Sequence, residues 1–341
     1  MNKTLIAMAV AGVMAAPMAA QADATVYGKV HVSVDMMDYD TSGRDNNNVL
    51  ASNSSRIGFK GSEDLGGGLK AVWKLESGIA VDGESGGLTA RNRYIGLKGG
   101  WGEVRGGKHD TPVKGLSRKV ELFPEYLGDN RNLTMGWDAR VNNVVAYLSP
   151  KFGGGMQVFA AYTLDTGTDS STDDNDNTAI SATFTWTAGD IFLGAGYETR
   201  ERDAALTPND TSVTRLSGSW SPGAWKLVAM WQASDNQGYA DGVDGSMMGL
   251  GAAYKMGKNV LKAQYYLAEI EDGSGTNEAT TLAVGWDYKF SKRSTAYLAY
   301  AVTDNDDTGT FRVNSGGHGD SGAQAAGSDP SGLTIGMIHN F

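Results

Sequence analysis

Two serine-centred stretches have the spacing of a hydrolase nucleophile. Gly83-Glu84-Ser85-Gly86-Gly87 fits a G-x-S-x-G elbow, and Gly319-Asp320-Ser321-Gly322 has the residue order of a serine-protease loop. An elbow needs a sharp strand-to-helix turn with a histidine and an acid brought to it. Both stretches lie in glycine-rich loops with no helix following, and 47 glycines in the chain make chance matches common. No enzyme is expected. The Asp173-Asp174-Asn175-Asp176 run lacks the spacing and closing glutamate of an EF-hand loop. It reads as a solvated acidic loop, with loop-bound Ca²⁺ as the alternative, and no other cofactor is expected. The four histidines, at 31, 109, 318 and 339, are too scattered for a multi-histidine metal site, and His318 and His339 read as solvated or interfacial. The absence of cysteine removes disulfides, thiol nucleophiles and thiolate metal centres together. A net charge of −10 argues against a nucleic-acid partner, whose phosphates need a basic surface.

The elements that must position any site are strands. Residues 1–22 read as a cleaved secretory signal, with Lys3 as the basic start, an uncharged apolar run from Leu5 to Ala16, and Ala20-Gln21-Ala22 as the cleavage site. Residues 23–341 would be the exported domain, and they hold no apolar run of about 18 residues that could span a membrane as a helix. From 29 to 36, Lys29, His31, Ser33 and Asp35 alternate with Val30, Val32, Val34 and Met36, which gives one polar and one aliphatic strand face. Leu282, Val284, Trp286, Tyr288 and Phe290 share a face in the same way. Sixteen such segments occur: 25–37, 52–62, 69–78, 90–98, 102–109, 136–149, 155–165, 178–187, 190–201, 212–220, 224–234, 246–256, 259–270, 279–290, 294–303 and 332–341.

Their connections alternate between tight turns such as Ser221-Pro222-Gly223 and long polar loops at 38–51, 110–135, 166–177, 202–211, 235–245, 271–278 and 304–331. An even strand count with long loops at one end is the pattern of a transmembrane β-barrel. An exported sandwich or propeller would alternate too, but would not need the two-sided loop asymmetry. The expected fold is all-β: a 16-stranded antiparallel transmembrane β-barrel. A barrel that wide is not filled by its own side chains. Its polar face, with Lys29, His31, Ser33, Asp35, Arg56, Lys70, Lys74, Glu76, Arg140 and Asn142, would line a water-filled channel, since Lys or Arg facing lipid costs about 2–4 kcal/mol each at mid-depth.

Several stretches carry a more specific signal. Thr25-Val26-Tyr27-Gly28-Lys29, the long run from Ser55-Arg56-Ile57-Gly58-Phe59 to Leu69-Lys70-Ala71, Tyr94-Ile95-Gly96-Leu97, Gly107-Lys108-His109-Asp110-Thr111-Pro112, Phe123-Pro124-Glu125 and the terminal Phe341 together resemble the general diffusion porins of Gram-negative outer membranes. The resemblance is close over the N-terminal third, and the strand rhythm carries the rest. It implies a homotrimer in the outer membrane, in contact with lipid and lipopolysaccharide. Loop 110–135 would fold into the lumen and present Glu121 and Glu125 to a basic wall of Lys29, Arg56, Lys108 and Arg140. Lys108 departs from the arginine usual in the family, and His109 stands where a neutral amide is common. Arg91, Arg93, Arg105, Asp110 and Asp129 are further candidates for the pore lining, with lumen solvation or lipopolysaccharide contact as the other reading of the three arginines.

Opposed charges across a narrow aqueous gap favour polar solutes, and their balance biases which ions pass. The implied function is passive diffusion of small hydrophilic solutes and ions. A substrate- or ion-selective porin of the same fold is the near alternative, and an outer-membrane barrel enzyme or an adhesin the remoter ones. The acidic loops and the base-rich constriction oppose each other, so the sign of the ion selectivity stays open.

Overall fold

The computed structural model describes residues 23–341 except 42–45, 84–86, 165–177, 203–209, 315–317 and 319–323. The signal segment, the Asp173–Asp176 run, the centre of the Gly83–Gly87 stretch and the Gly319–Gly322 stretch lie outside the described residues. The first half of the barrel comprises β1 (Asp23–Asp38), β2 (Asn47–Ser52), β3 (Arg56–Gly66), β4 (Leu69–Gly78), β5 (Thr89–Gly99), β6 (Gly102–Asp110), β7 (Arg140–Leu148) and β8 (Met156–Thr163). The second comprises β9 (Ala179–Ala188), β10 (Ile191–Glu201), β11 (Asp210–Trp220), β12 (Trp225–Asp235), β13 (Asp244–Met256), β14 (Asn259–Asp272), β15 (Gly275–Lys289), β16 (Ser294–Asn305) and β17 (Ser331–Asn340).

Every neighbouring pair is antiparallel, and β17 closes the sheet on β1 from Lys29↔Asn340 to Asp38↔Ser331. Strands β2 and β3 both pair with β1 and are one broken strand, interrupted at Asn53–Ser55, where Ser54 takes a left-handed φ of 54°. The barrel therefore has sixteen positions around its wall, and each of the sixteen alternating segments occupies one. The expected loop at 271–278 is instead mostly strand: β14 and β15 run out to a turn at Gly273 and Ser274, with Asp272 still paired to Gly275. Residues 136–139, expected as strand, belong to the preceding loop, and β7 starts at Arg140.

Outward positions carry the apolar face. Leu250 and Ile95 are 69% and 68% exposed in the isolated chain, a cost in water that a hydrocarbon surround removes. Trp101, Phe152, Trp220, Trp225, Phe290 and Phe341 are exposed beside the tight turns, and form an aromatic girdle at that end.

The core lies inside the barrel, between the wall and the loop from Thr111 to Ala139. Thr111 caps a helix, Pro112–Val120, by accepting the Lys114 N–H at 3.3 Å, and Pro112 supplies the fixed φ of its first turn. Val113, Leu116 and Val120 recur at helical spacing and are buried. Leu116 sits where β10 presents Gly194 and Gly196, and a Cβ at either glycine would stand 2.5 or 2.9 Å from it. Farther on, Phe123, Tyr126, Leu127 and Leu133 join Met247, Tyr266, Ala283, Ala299 and Ala301 in one buried apolar cluster. Gly128, with φ of 74°, packs where a Cβ would lie 2.8 Å from both Ala283 and Ala301. Small residues on the β10 and β13–β17 wall thus let the loop pack dry against one side of the lumen. The polar wall of β1 and β3–β7 is left facing the open side.

Candidate constriction site

On that polar wall, two cations gather around each of three carboxylates. Glu125, on the loop, takes the Lys29 ammonium and, at 2.9 Å, the Arg56 guanidinium. Glu76, on β4, lies 2.7 Å from Arg91 Nε and 3.2 Å from Lys74 Nζ, and accepts from the Tyr27 hydroxyl at 2.8 Å. Asp110, ending β6, lies 2.8 Å from Lys114 Nζ and 2.9 Å from Arg140, with Asn92 Nδ2 donating to its other oxygen. The ladder places the wall partners. Lys29 and Arg56 are direct neighbours across β1 and β3, and Asp110 and Arg140 across β6 and β7. Lys114 comes from the loop helix, one turn beyond Asp110. Each cluster carries one positive charge more than it neutralises.

The loop that carries Glu125 is held by a buried ionic scaffold. Arg215, fully buried on β11, donates to Asp138 at 2.6 Å, to the Val113 carbonyl at 3.0 Å and to Gln232. Arg118 makes a forked pair with Asp129 at 2.8 and 3.1 Å and also reaches Asp138. Asp129 further accepts from the backbone N–H of Glu125 and of Arg131 and pairs with the Arg131 guanidinium. Burial alone would raise the Asp129 carboxyl, but Arg118 and Arg131 outweigh it and hold it far below the usual range. Burial likewise opposes ionisation of Glu125, and the charges of Lys29 and Arg56 overcome that and lower it.

Glu121 behaves oppositely. Its two oxygens accept the backbone N–H groups of Phe123 and Asn130, so the carboxylate turns into the loop and away from the basic wall. Burial, then the charge of Asp129, push it up to about 7, against the partial relief of Arg118. A carboxyl raised in this way stabilises the folded loop while protonated. The contribution is complete below the unfolded value of about 4.3 and is lost as pH rises through about 7. Open-channel noise is therefore expected to grow between about pH 5 and pH 8 as the loop loosens, and Glu121→Gln to flatten that component of the profile. A Glu121→Gln channel with the full wild-type pH profile would assign the titration to another group.

The remaining sequence candidates separate by strand face. Arg105 lies inside, its guanidinium 4.8 Å from the Tyr94 ring centre and 5.2 Å from that of Phe159, and 3.6 Å from Glu103. Asp129, like Glu121, is a loop-scaffold acid and does not face the wall. Lys108 and Arg93 correct the expectation of a lumenal role. They are direct partners in the β5–β6 ladder, in phase with the outward Ile95 and Val104, whereas the next residue, His109, turns inward onto Tyr94 and Phe159. Arg93 donates to Ser77 Oγ at 2.7 Å and Lys108 to Asn142 Oδ1 at 2.8 Å. Neither pairs with a carboxylate among the described residues. Alternation along β6 (Val104, Gly106, Lys108 on one face) is the signal for this placement.

Sequence reasoning does not single out Lys114, Asp138 or Arg215. Lys114 has a local cue, four residues beyond Asp110 at a proline-started helix. The expectation of a solvated or interfacial His318 is corrected. It is buried instead, because the C-terminal loop also enters the lumen, where Val313 joins the apolar cluster and its carbonyl accepts the Gly128 N–H at 2.8 Å. His339 is at the surface, bonded to Ser294. Among the described residues no group of three or more His, Asp or Glu is placed to hold a metal ion.

Comparison with known proteins agrees with this architecture. Over 164 residues the chain is 38% identical to the major outer membrane protein P.IB of Neisseria gonorrhoeae, a match covering 45% of this chain and 46% of that protein. The P.IB of Neisseria sicca is 36% identical over 163 residues. The matched chain thus spans about half the length of these curated relatives. Among solved structures, an anion-selective porin from Comamonas acidovorans superposes with a TM-score of 0.83 at 27% identity, covering 94% of this chain and all of that one. Salmonella typhi OmpF shares the fold alone, at a TM-score of 0.71 and 15% identity. Because the family model for Gram-negative porins matches residues 6–308, nearly the whole of the closed barrel, the chain belongs to the Gram-negative porin family.

Proposed function

We propose that this protein is an outer-membrane channel for passive diffusion of small hydrophilic solutes and ions, without enzymatic activity, and that its constriction favours anions. One observation carries the selectivity: Glu125, Glu76 and Asp110 are each outnumbered two to one by the cations of the wall and the loop helix. An anion entering this stretch meets a net positive wall, and charges more than about 8 Å from its path are screened at physiological salt. The likeness to an anion-selective porin supports the same sign.

A homotrimer is part of the proposal. Arg93 and Lys108 stand on the outer face, where facing lipid would cost about 2–4 kcal/mol each at mid-depth, and a subunit contact over β4–β7 would remove that cost. The rest of the apolar exterior would meet lipid and lipopolysaccharide. The test is single-channel recording of the refolded protein in a planar bilayer, with the reversal potential read across a KCl gradient. Stepwise openings in threes with an anion-signed reversal potential are expected. A cation-signed reversal would reject the selectivity, and a folded barrel that never conducts would reject the channel.

A further inference from the structure

The C-terminal loop brings His318 to the main chain of Glu125. The imidazole is 2% exposed, with Nδ1 2.7 Å from Asp35 Oδ2 and Nε2 2.8 Å from the Glu125 carbonyl oxygen. A carboxylate and a carbonyl can only accept, so both contacts are hydrogen bonds at once only when each ring nitrogen carries a hydrogen. The Asp35 carboxylate is held in turn by the hydroxyls of Ser33 and Thr334, at 2.8 and 2.5 Å. Asp35 belongs to the same face of β1 as Lys29, so the histidine ties the loop to the strand that carries one of the constriction cations.

Glu125 is a residue that needs holding. Its φ of 66° lies in the left-handed region, where a non-glycine backbone is strained. Its N–H is bound by Asp129 at 2.6 Å, its carboxylate by Lys29 and Arg56, and its carbonyl by His318. The first two restraints come from the loop and the basic wall. The third comes from a different loop, and it depends on a proton.

We propose that His318 is a positioning residue of the constriction: as an imidazolium it clamps the strained backbone of Glu125 to Asp35 and so keeps the loop carboxylate against Lys29 and Arg56. This rests on the diffusion-channel reading above. Among the described residues, the charged and titratable groups around the ring are Asp35 on the wall, Glu125 on the loop, with Lys29 and Arg56 beyond its carboxylate, and His31. The His31 ring centre is 6.5 Å away and its Nε2 is engaged by the Tyr297 hydroxyl at 2.8 Å. Loss of the proton leaves one N–H for two acceptors. Either Asp35 or the Glu125 carbonyl then faces a nitrogen lone pair.

The experiment uses the full-length channel in a Glu121→Gln background, so that the raised loop carboxyl cannot contribute. Open-channel flicker is recorded from about pH 5 to pH 9, alongside hydrogen exchange of the backbone amides around Glu125, for the parent, His318→Ala and His318→Arg. Losing one charge-assisted hydrogen bond is expected to raise both flicker and exchange about tenfold, in the parent only where the ring has lost its proton and in His318→Ala at every pH. The guanidinium of His318→Arg offers N–H groups on two sides throughout the range, and is expected to restore protection and abolish the pH step. A merely space-filling histidine would yield no pH step and no rescue, and that result overturns the clamp. So does His318→Ala with parental exchange around Glu125. The exchange measurement decides the clamp even if the barrel does not conduct, which would reject the channel reading alone.

Discussion

Replacing Arg56 and Arg140 together by glutamine is expected to shift the permeability ratio toward cations by at least about tenfold at low salt. In water a unit charge about 6 Å from an ion is worth about 0.7 kcal/mol, roughly threefold in the local concentration of the anion alone. Losing two such charges therefore lowers anion entry about tenfold, which sets the least shift expected in the ratio. The two residues sit in different clusters, so each loss turns a net positive group into a balanced one: Lys29 still pairs with Glu125, and Lys114 with Asp110. The barrel itself should be untouched, because both positions keep their backbone ladder bonds. Reversal potentials across a KCl gradient measure the change. Raising the salt to about 1 M, where screening acts within about 3 Å, should shrink the difference between variant and parent. An unchanged reversal potential at low salt would show that the three clusters are not where ions are selected.

The second large effect is expected at Arg215. Truncation to alanine leaves Asp138 buried with only the longer contact to Arg118 and the Ser117 hydroxyl, and takes a donor from the Val113 carbonyl at the start of the loop helix. Removing one member of a buried ion pair costs about 3–5 kcal/mol. The strand ladder closes the barrel without this pair, so the penalty falls on the loop. The single conductance level of the parent should give way to several, with greater protease sensitivity between Thr111 and Ala139. Adding Asp138→Asn removes the uncompensated charge and should recover a large part of the loss, an interaction that a double-mutant cycle reads directly. If Arg215→Ala leaves the conductance level and the protease pattern unchanged, the loop is held by its apolar contacts and not by this scaffold.

Of the constriction, the members that follow from strand phase are legible in the chain alone. Lys29, Arg56, Lys74, Glu76 and Arg140 fall on the polar face because alternation leaves no other assignment. Lys108 shows the limit of motif resemblance used without phase. The match to a family pattern puts it on the pore wall, while its own alternation with Val104 and Gly106 puts it outside. Glu121 and Glu125 look equivalent in the chain, four residues apart on one acidic stretch. They part only because the loop turns its own N–H groups toward Glu121 and leaves Glu125 to the wall cations.

By itself the sequence determined the closed sixteen-position barrel and its lipid-facing and lumenal faces, because period-two alternation and turn chemistry are local properties that neighbouring residues settle among themselves. The entry of the long loop after β6 is implied only by the family resemblance. Only the tertiary structure decided which charges meet. The pairs that build the site join residues far apart in the chain: Lys29 with Glu125, Arg215 with Asp138, and His318 with Asp35. Such pairing depends on how the two inward loops settle against the glycines and alanines of the opposite wall. That is a property of packing, and no spacing along the chain encodes it.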